Sequence, residues 1–168
     1  MGDKLIIKQI NKKYDTERAL ENVLRYIIRK KCSEEEGEVV YWKALGASGK
    51  SIGSAIRQFI KIQEIAGKAN KKRIRHFMVS LPRCADKLKE AVTVADVTAK
   101  YIFRDYQVIY AVHEKEKMFH IHFAVNPVSY RTHKKWHMSR HEFEEWKTDV
   151  LEIVNKSRTD YGYSIFEL

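Results

Sequence analysis

Cysteine and proline are scarce in this sequence, with two of each among 168 residues. Cys32 and Cys84 lie far apart, which excludes a disulfide framework and a four-cysteine zinc site and fits a reduced, cytoplasmic protein. No proline-rich linker, low-complexity tract or internal repeat divides the chain. We therefore expect a single domain over residues 1–168, a length at which one core of ordinary size can form.

Long apolar runs are also missing. No stretch approaches the roughly 20 apolar residues that a membrane-spanning helix needs. The first residues, MGDKLIIKQINKK, lack the apolar segment of a secretory signal. We expect no contact with a membrane.

Negative charge is in the minority. Lys and Arg number 32 against 22 Asp and Glu, which gives a formal charge of +10. Such an excess favours a polyanionic partner, most simply a nucleic acid, although a basic soluble protein without such a partner explains it equally well. Positive charge is densest in KANKKRIR at 68–75, where Lys71, Lys72, Arg73 and Arg75 are candidates for phosphate contacts. The alternative is a solvated connector before a strand.

The apolar pattern predicts an α/β protein in which helices alternate with short strands. Strands are expected at 4–10, 38–45, 76–82, 106–113, 118–126 and 161–167. Helices are expected at about 16–31, 54–66, 84–103 (one helix or two) and from Ser139 to about 157. The charged turn at 114–117 predicts a β-hairpin, so the sheet is at least partly antiparallel.

Three of the seven histidines fall within ten residues, in YAVHEKEKMFHIHFAVN. On a strand, His120 and His122 point to the same face. With a four-residue turn, His113 pairs with Met118 and becomes a diagonal neighbour of His120. Three imidazoles would then share one open face, while an apolar stripe occupies the other. This arrangement suits a divalent metal that also binds a substrate oxygen, and ligand type alone allows zinc, manganese, nickel or cobalt. Three polar residues on a solvated strand are the simpler alternative.

Tyr26 is the candidate nucleophile. The apolar stripe of the first helix centres near Leu20, Leu24 and Ile27, and Tyr26 lies about 130° away at 100° per residue. It therefore lies among polar residues rather than in the core. An exposed tyrosine is usually only exposed, and a phenol with a pKa near 10 needs nearby cations or a base to attack at neutral pH.

Together these pieces resemble a known family. HIHFAVN, with His113 seven residues before its first histidine, resembles the metal motif of the HUH endonucleases, in which two histidines flank one hydrophobic residue. The order of parts is similar to that of plasmid and integrative-element relaxases, closest to the MobP type: a helix carrying LRYI, a strand ending in VSLP, then the three histidines. The tail, KKWHMSRHEFEEWK and DYGYSI, resembles the segment that closes those domains. The resemblance covers nearly the whole chain.

The resemblance implies a central antiparallel sheet of about five strands flanked by helices, related to the RRM or ferredoxin-like arrangement. It implies metal-dependent nicking of one DNA strand at an origin of transfer, through a 5′-phosphotyrosyl intermediate, in bacterial mobilisation. Its partners would be origin DNA, single-stranded around the nick, together with accessory relaxosome proteins and a coupling protein. Relaxases often carry further domains, so residues 1–168 could be the N-terminal part of a longer protein.

The same resemblance assigns roles to single residues. Tyr26 would be the nucleophile, and His113, His120 and His122 the ligands of one divalent metal, manganese or magnesium in the family. Ser80 would lie near the scissile region, and Asn126 would orient a ligand or contact DNA. Asp86 is a candidate acid–base partner, and Arg29 is a candidate DNA contact beside Tyr26. The chain departs from the pattern at Lys115, where relatives carry an acidic residue.

Three other functions stay open at this point. A rolling-circle replication initiator shares the metal site but places its tyrosine after the histidines, where Tyr161 and Tyr163 stand. A non-catalytic single-strand-binding module would need no metal. A metal-dependent hydrolase would use bound water in place of tyrosine.

Overall fold

A computed structural model of the chain describes residues 3–29, 38–81, 87–115, 118–160, 162 and 166–168. Asp86, Tyr161 and Tyr163, three of the residues singled out above, lie outside this part. The helices are α1 (Glu17–Ile28), α2 (Ile52–Ile65), α3 (Lys87–Ile102) and α4 (Arg140–Asp160). The strands are β1 (Asp3–Lys4), β2 (Ile6–Gln9), β3 (Glu38–Leu45), β4 (Arg75–Leu81), β5 (Tyr106–Lys115), β6 (Met118–Ser129) and β7 (Phe166–Glu167). No described helix has both the length and the apolar character to cross a membrane.

Five strands form one antiparallel sheet in the order β2-β4-β6-β5-β3, and β1 pairs separately with β7. This confirms the predicted fold class, a central antiparallel sheet of five strands with helices. The first predicted strand, 4–10, is in fact divided between the two sheets at Leu5. That division lets β1 pair with the end of the chain while β2 forms an edge of the main sheet.

The alternation of side chains along β6 places different cores on the two faces of the sheet. Phe119, Ile121 and Phe123 face α3 and α4, where they join a large apolar cluster. Ala124 faces α1 and α2 together with Ile109 of β5. The α1–α2 face is the one that carries the histidines, because residues two apart on a strand share a face.

Local sequence accounts for the ends of the helices. Thr16 caps α1 by accepting a hydrogen bond from the backbone N–H of Ala19. Ser139 and Glu142 form a capping box at the start of α4, in which each side chain accepts a hydrogen bond from the backbone N–H of the other residue. Helix α2 ends at Ile65, and Gly67, with φ +62°, lets two backbone hydrogen bonds close the turn that follows.

The hairpin differs from the prediction. Strand β5 continues to Lys115 and pairs with Met118, so two residues separate the strands instead of four. His113 therefore lies directly opposite His120 rather than diagonal to it. Charged side chains at 114 and 115 suggested a turn, but a strand tolerates them because alternate positions can face solvent.

Candidate active site

The histidine face is less open than the sequence suggests. The side chains of His113 and His122 are only 3% and 6% exposed, and His120 is half-buried. Helix α1 covers this part of the sheet, and the Nε2 atom of His113 donates a hydrogen bond to the backbone carbonyl of Ile27 at 2.6 Å. The end of α1 is thereby fixed against the strand that carries His113.

Tyr26 lies over the histidines. Its ring centroid is 6.4 Å from that of His113 and 6.1 Å from that of His122, and the side chain is 36% exposed. Helical geometry explains the position, because Leu24 and Ile27 face the core and turn Tyr26 to the rim of the helix. The predicted orientation, away from the apolar stripe, is confirmed.

Arg29 covers the exposed side of Tyr26. Its guanidinium carbon lies 3.7 Å from the centroid of the Tyr26 ring, and Nη1 donates to the Tyr26 carbonyl oxygen at 2.8 Å. A cation over an aromatic face is attracted by the ring quadrupole. Arg29 therefore places positive charge next to the phenol ring of Tyr26.

A fourth histidine, which the sequence reasoning missed, belongs to this cluster. The ring centroid of His76 on β4 is 6.2 Å from that of Tyr26, and its Nε2 atom is 2.9 Å from Nδ1 of His122. The signal was available in the spacing, because His76 and Ser80 are four residues apart on a strand and share a face. Ser80 itself is buried and lies opposite His120 in the register.

Three of these histidines, His76, His120 and His122, have a lowered pKa that favours the neutral form. Burial lowers the pKa of His122 well below its usual value, and the neighbouring His113 and His76 lower it further. The pKa of His120 is lowered by burial and by Lys115 and Lys8. Burial, Lys12 and His113 lower the pKa of His76 to about 4. At neutral pH these rings therefore carry a lone pair that can bind a metal ion.

The donor set fits a divalent metal in chemistry, since neutral imidazole nitrogens are common ligands. The ring centroids of His113 and His122 are 4.4 Å apart, and His120 is paired with His113 across the strands. Within the described residues, however, no three His, Cys, Asp or Glu side chains converge closely enough to hold a metal ion together. The three histidines expected as ligands therefore lie near one another without converging on one point.

The basic segment 68–75 does not form one surface. Lys71 is exposed and Lys72 partly so, but Arg73 is 8% exposed and donates from Nε to Oε1 of Gln63. Arg75 is half-buried and donates to the carbonyl oxygen of Trp136 at 2.9 Å. Arg73 and Arg75 thus bond to other parts of the fold, which makes the exposed Lys71 and the partly exposed Lys72 the better placed of the four candidates for phosphate contacts.

Asn126 lies in the core with no exposed surface. Its amide nitrogen donates to the Phe59 carbonyl and to Gln107, while its amide oxygen accepts from Gln63 and from the backbone N–H of Val128. These four hydrogen bonds use the full capacity of the amide. Direct contact with DNA, one of the two roles expected for Asn126, is therefore incompatible with its place in the fold.

These placements predict different results for neighbouring cations. Changing Lys71 and Lys72 to Gln should flatten the log–log salt dependence of single-strand binding by up to about 1.4 if both contact phosphate, at roughly 0.7 per contact. Arg73→Met should leave the slope unchanged but destabilise the fold by about 1–3 kcal/mol, because Oε1 of Gln63 loses its buried donor. Salt titrations and urea unfolding measure the two effects. A slope change in Arg73→Met without loss of stability would contradict this division.

Comparison with known proteins agrees with the geometry. The family model described as "Relaxase: MobA/VirD2-like, nuclease domain" matches residues 26–158, well over half of the chain. A search of curated protein sequences finds no significant match.

Solved structures with the same fold cover nearly the whole chain. One, from work on the molecular basis of vancomycin resistance transfer in Staphylococcus aureus, has a TM-score of 0.64 at 14% identity and covers 97% of this chain and 96% of its own. Another is the MobM relaxase domain, manganese-bound and in complex with plasmid pMV158 oriT DNA, with a TM-score of 0.64 at 11% identity. It covers 99% of this chain and 90% of that one. The family match across residues 26–158 and this shared architecture lead to one conclusion: the chain belongs to the relaxase family as a MobA/VirD2-like nuclease domain, an enzyme that nicks DNA at an origin of transfer in mobilisation.

Proposed function

We propose that the chain nicks one DNA strand by direct attack of Tyr26 on the scissile phosphate. The observation that carries this assignment is the position of the Tyr26 ring, whose centroid lies 6.1–6.4 Å from those of His76, His113 and His122. A solvent-accessible phenol beside neutral imidazoles and a guanidinium has the components needed for transesterification at phosphorus.

The reaction exchanges one phosphodiester for another. The Tyr26 oxygen forms a bond to phosphorus as the bond between phosphorus and the 3′ oxygen breaks. The phenolic proton is lost, and the 3′ oxygen leaves as a hydroxyl after taking up a proton. The strand is then held as a 5′-phosphotyrosyl ester, so a 3′-hydroxyl can reverse the step without ATP.

His113, His120 and His122 are the residues that we expect to hold the divalent metal, with manganese or magnesium as first choices and zinc, nickel or cobalt still possible. When bound, the metal supplies Lewis-acid stabilisation of charge on the phosphate oxygens. Arg29 adds a fixed positive charge on the other side of the phenol. Ser80, which pairs with His120 across the strands, is the residue that we expect to lie near the scissile phosphate.

A cleft of about 450 Å³ gives the DNA strand a path to Tyr26. Tyr14, Tyr26 and His76 line one side of it, and Lys12 and Lys13 contribute positive charge at the rim. Lysines at such a rim suit contacts to phosphates, which hold a strand in place without reading its sequence. We propose that single-stranded origin DNA enters along this cleft, in the bacterial cytoplasm, with accessory proteins and a coupling protein as further partners.

A cleavage assay with Mn²⁺ tests this function. It uses single-stranded oligonucleotides tiled across the DNA that flanks the gene, in one set labelled at the 3′ end and one set labelled at the 5′ end. We expect a covalent protein–DNA band with the 3′ label and a free shortened strand with the 5′ label. Free fragments with both labels would indicate a hydrolase that uses water. Binding without cleavage of any tile would favour the non-catalytic module, and an adduct mapped to Tyr161 or Tyr163 would favour the replication initiator.

Metal binding should raise the thermal stability of the chain. At a free Mn²⁺ concentration 100 times the Kd, binding to the folded state alone stabilises it by about 2.7 kcal/mol. For a chain of this length, that corresponds to an increase in Tm of about 5–11 °C. Scanning calorimetry with Mn²⁺ and with EDTA measures the difference, and His122→Ala is the control that should not respond. An equal increase in both proteins would assign the metal to another site.

A further inference from the structure

His76 is buried at the centre of the site, yet it is not among the expected ligands. It lies on β4, on the same face as Met78 and Ser80, and its side chain is 4% exposed. Its ring contacts two partners, with Nε2 at 2.9 Å from Nδ1 of His122 and Nδ1 at 3.5 Å from the hydroxyl of Tyr14. A buried imidazole with both nitrogens engaged has little freedom to rotate.

The contact between the two rings limits how His122 can act. Since Nδ1 of His122 faces His76, Nε2 is the nitrogen that remains for a cation. A neutral imidazole that binds through Nε2 keeps its proton on Nδ1. With a cation on its Nε2, His122 would donate this proton to Nε2 of His76, and the remaining proton of His76 would lie on Nδ1, which faces the Tyr14 hydroxyl.

The backbone holds Tyr14 and His76 in register. The N–H of Arg73 donates to the carbonyl of Tyr14 at 2.6 Å, and the N–H of Ile10 donates to the carbonyl of His76 at 2.8 Å. The segment before α1 is thus bound to the start of β4 on both sides of the ring contact. These bonds keep Tyr14 next to the ring of His76, which in turn contacts His122.

We propose that His76 is a positioning residue, which accepts the Nδ1 proton of His122 and so fixes the orientation and tautomer in which His122 binds a divalent cation. The inference rests on the proposed function, because it needs His122 to be a ligand. Residues that orient metal-binding histidines in this way typically change metal affinity by about 10–100-fold when they are replaced.

Two substitutions separate hydrogen bonding from packing. His76→Gln keeps an acceptor near the place of Nε2 but loses the ring, whereas His76→Phe keeps a ring but loses the acceptor. Titration calorimetry with Mn²⁺ alone should show binding weakened about 10–100-fold in His76→Phe and less than about fivefold in His76→Gln. Met78→Leu is the matched control, because Met78 is paired with His122 across the strands but offers no such hydrogen bond. Its Mn²⁺ affinity should equal that of the wild type.

The order of the variants decides the outcome. The inference is overturned if His76→Phe binds Mn²⁺ as tightly as the wild type. It is also overturned if His76→Phe and His76→Gln lose the same Mn²⁺ affinity, because His76 would then be a ligand or a packing residue. Absence of Mn²⁺ binding by the wild type overturns it as well. Unfolding in EDTA checks that both variants are folded. The covalent DNA adduct is measured in a separate assay. Adduct formation by Tyr26 would support the proposed function even if the His76 variants bind Mn²⁺ normally, and the expected order of Mn²⁺ affinities would support the role of His76 even if no adduct forms.

Discussion

Tyr26→Phe should abolish the covalent DNA adduct while single-strand binding stays within about threefold of the wild type. The substitution removes one oxygen and leaves the ring that packs near His122 and under Arg29. Loss of a covalent nucleophile costs on the order of 10⁶ in rate in a well-studied protease. Cleavage should therefore fall below detection on a denaturing gel, whereas fluorescence anisotropy should report nearly unchanged affinity.

The control for this experiment is Tyr101→Phe, which removes a hydroxyl from an exposed tyrosine on α3, the helix on the other face of the sheet. It should form the adduct at the wild-type rate. An undiminished adduct in Tyr26→Phe would rule out Tyr26 as the nucleophile and turn attention to Tyr161 and Tyr163.

His122→Ala should cause the second-largest loss. Removing a ligand should weaken Mn²⁺ binding more than the roughly 10–100-fold expected for a positioning residue, and nicking should fall with it. His120→Ala should behave in the same way, although its ring is half-buried and lies farther toward the hairpin. Calorimetry with Mn²⁺ and the adduct assay measure the two losses.

His141→Ala is the control for these variants, because His141 is exposed on α4 and far from the histidine cluster in sequence. Unchanged Mn²⁺ affinity in both His120→Ala and His122→Ala would exclude a metal site on this strand face. If Mn²⁺ affinity falls in His122→Ala but not in His120→Ala, His120 is not a ligand of the metal.

Much of the fold follows from local patterns in the sequence. Strand β3 has the predicted bounds, 38–45, and α1 and α4 begin close to the predicted starts at 16 and Ser139. Helix α1 ends at Ile28, three residues before the predicted end. Local patterns work here because caps and alternation depend on neighbours in the chain, whereas the end of α1 also depends on a contact with distant β5.

The candidate site was only partly predictable for the same reason. The spacing brought His120 and His122 to one face, and the helical angle placed Tyr26 away from the core. The spacing of His76 and Ser80 could have placed His76 on the same face of β4 as Ser80, but the contact between His76 and His122 depends on how β4 pairs with β6. The density of cations at 68–75 likewise does not show which side chains face solvent, and the side chain of Arg73 points inward to Gln63.

The hydrogen bond between His113 and the Ile27 carbonyl has an electrostatic consequence. It joins the histidine cluster to the C-terminal end of α1, where the aligned peptide dipoles leave partial negative charge. A cation held beside His113 gains about 0.3–1 kcal/mol from such a position, and a bare phosphate is disfavoured by a similar amount. Arg29 caps the same end of α1, and its positive charge beside Tyr26 offsets this effect on a phosphate. The end of α1 thus favours a cation beside His113, while Arg29 keeps the approach to Tyr26 open to a phosphate.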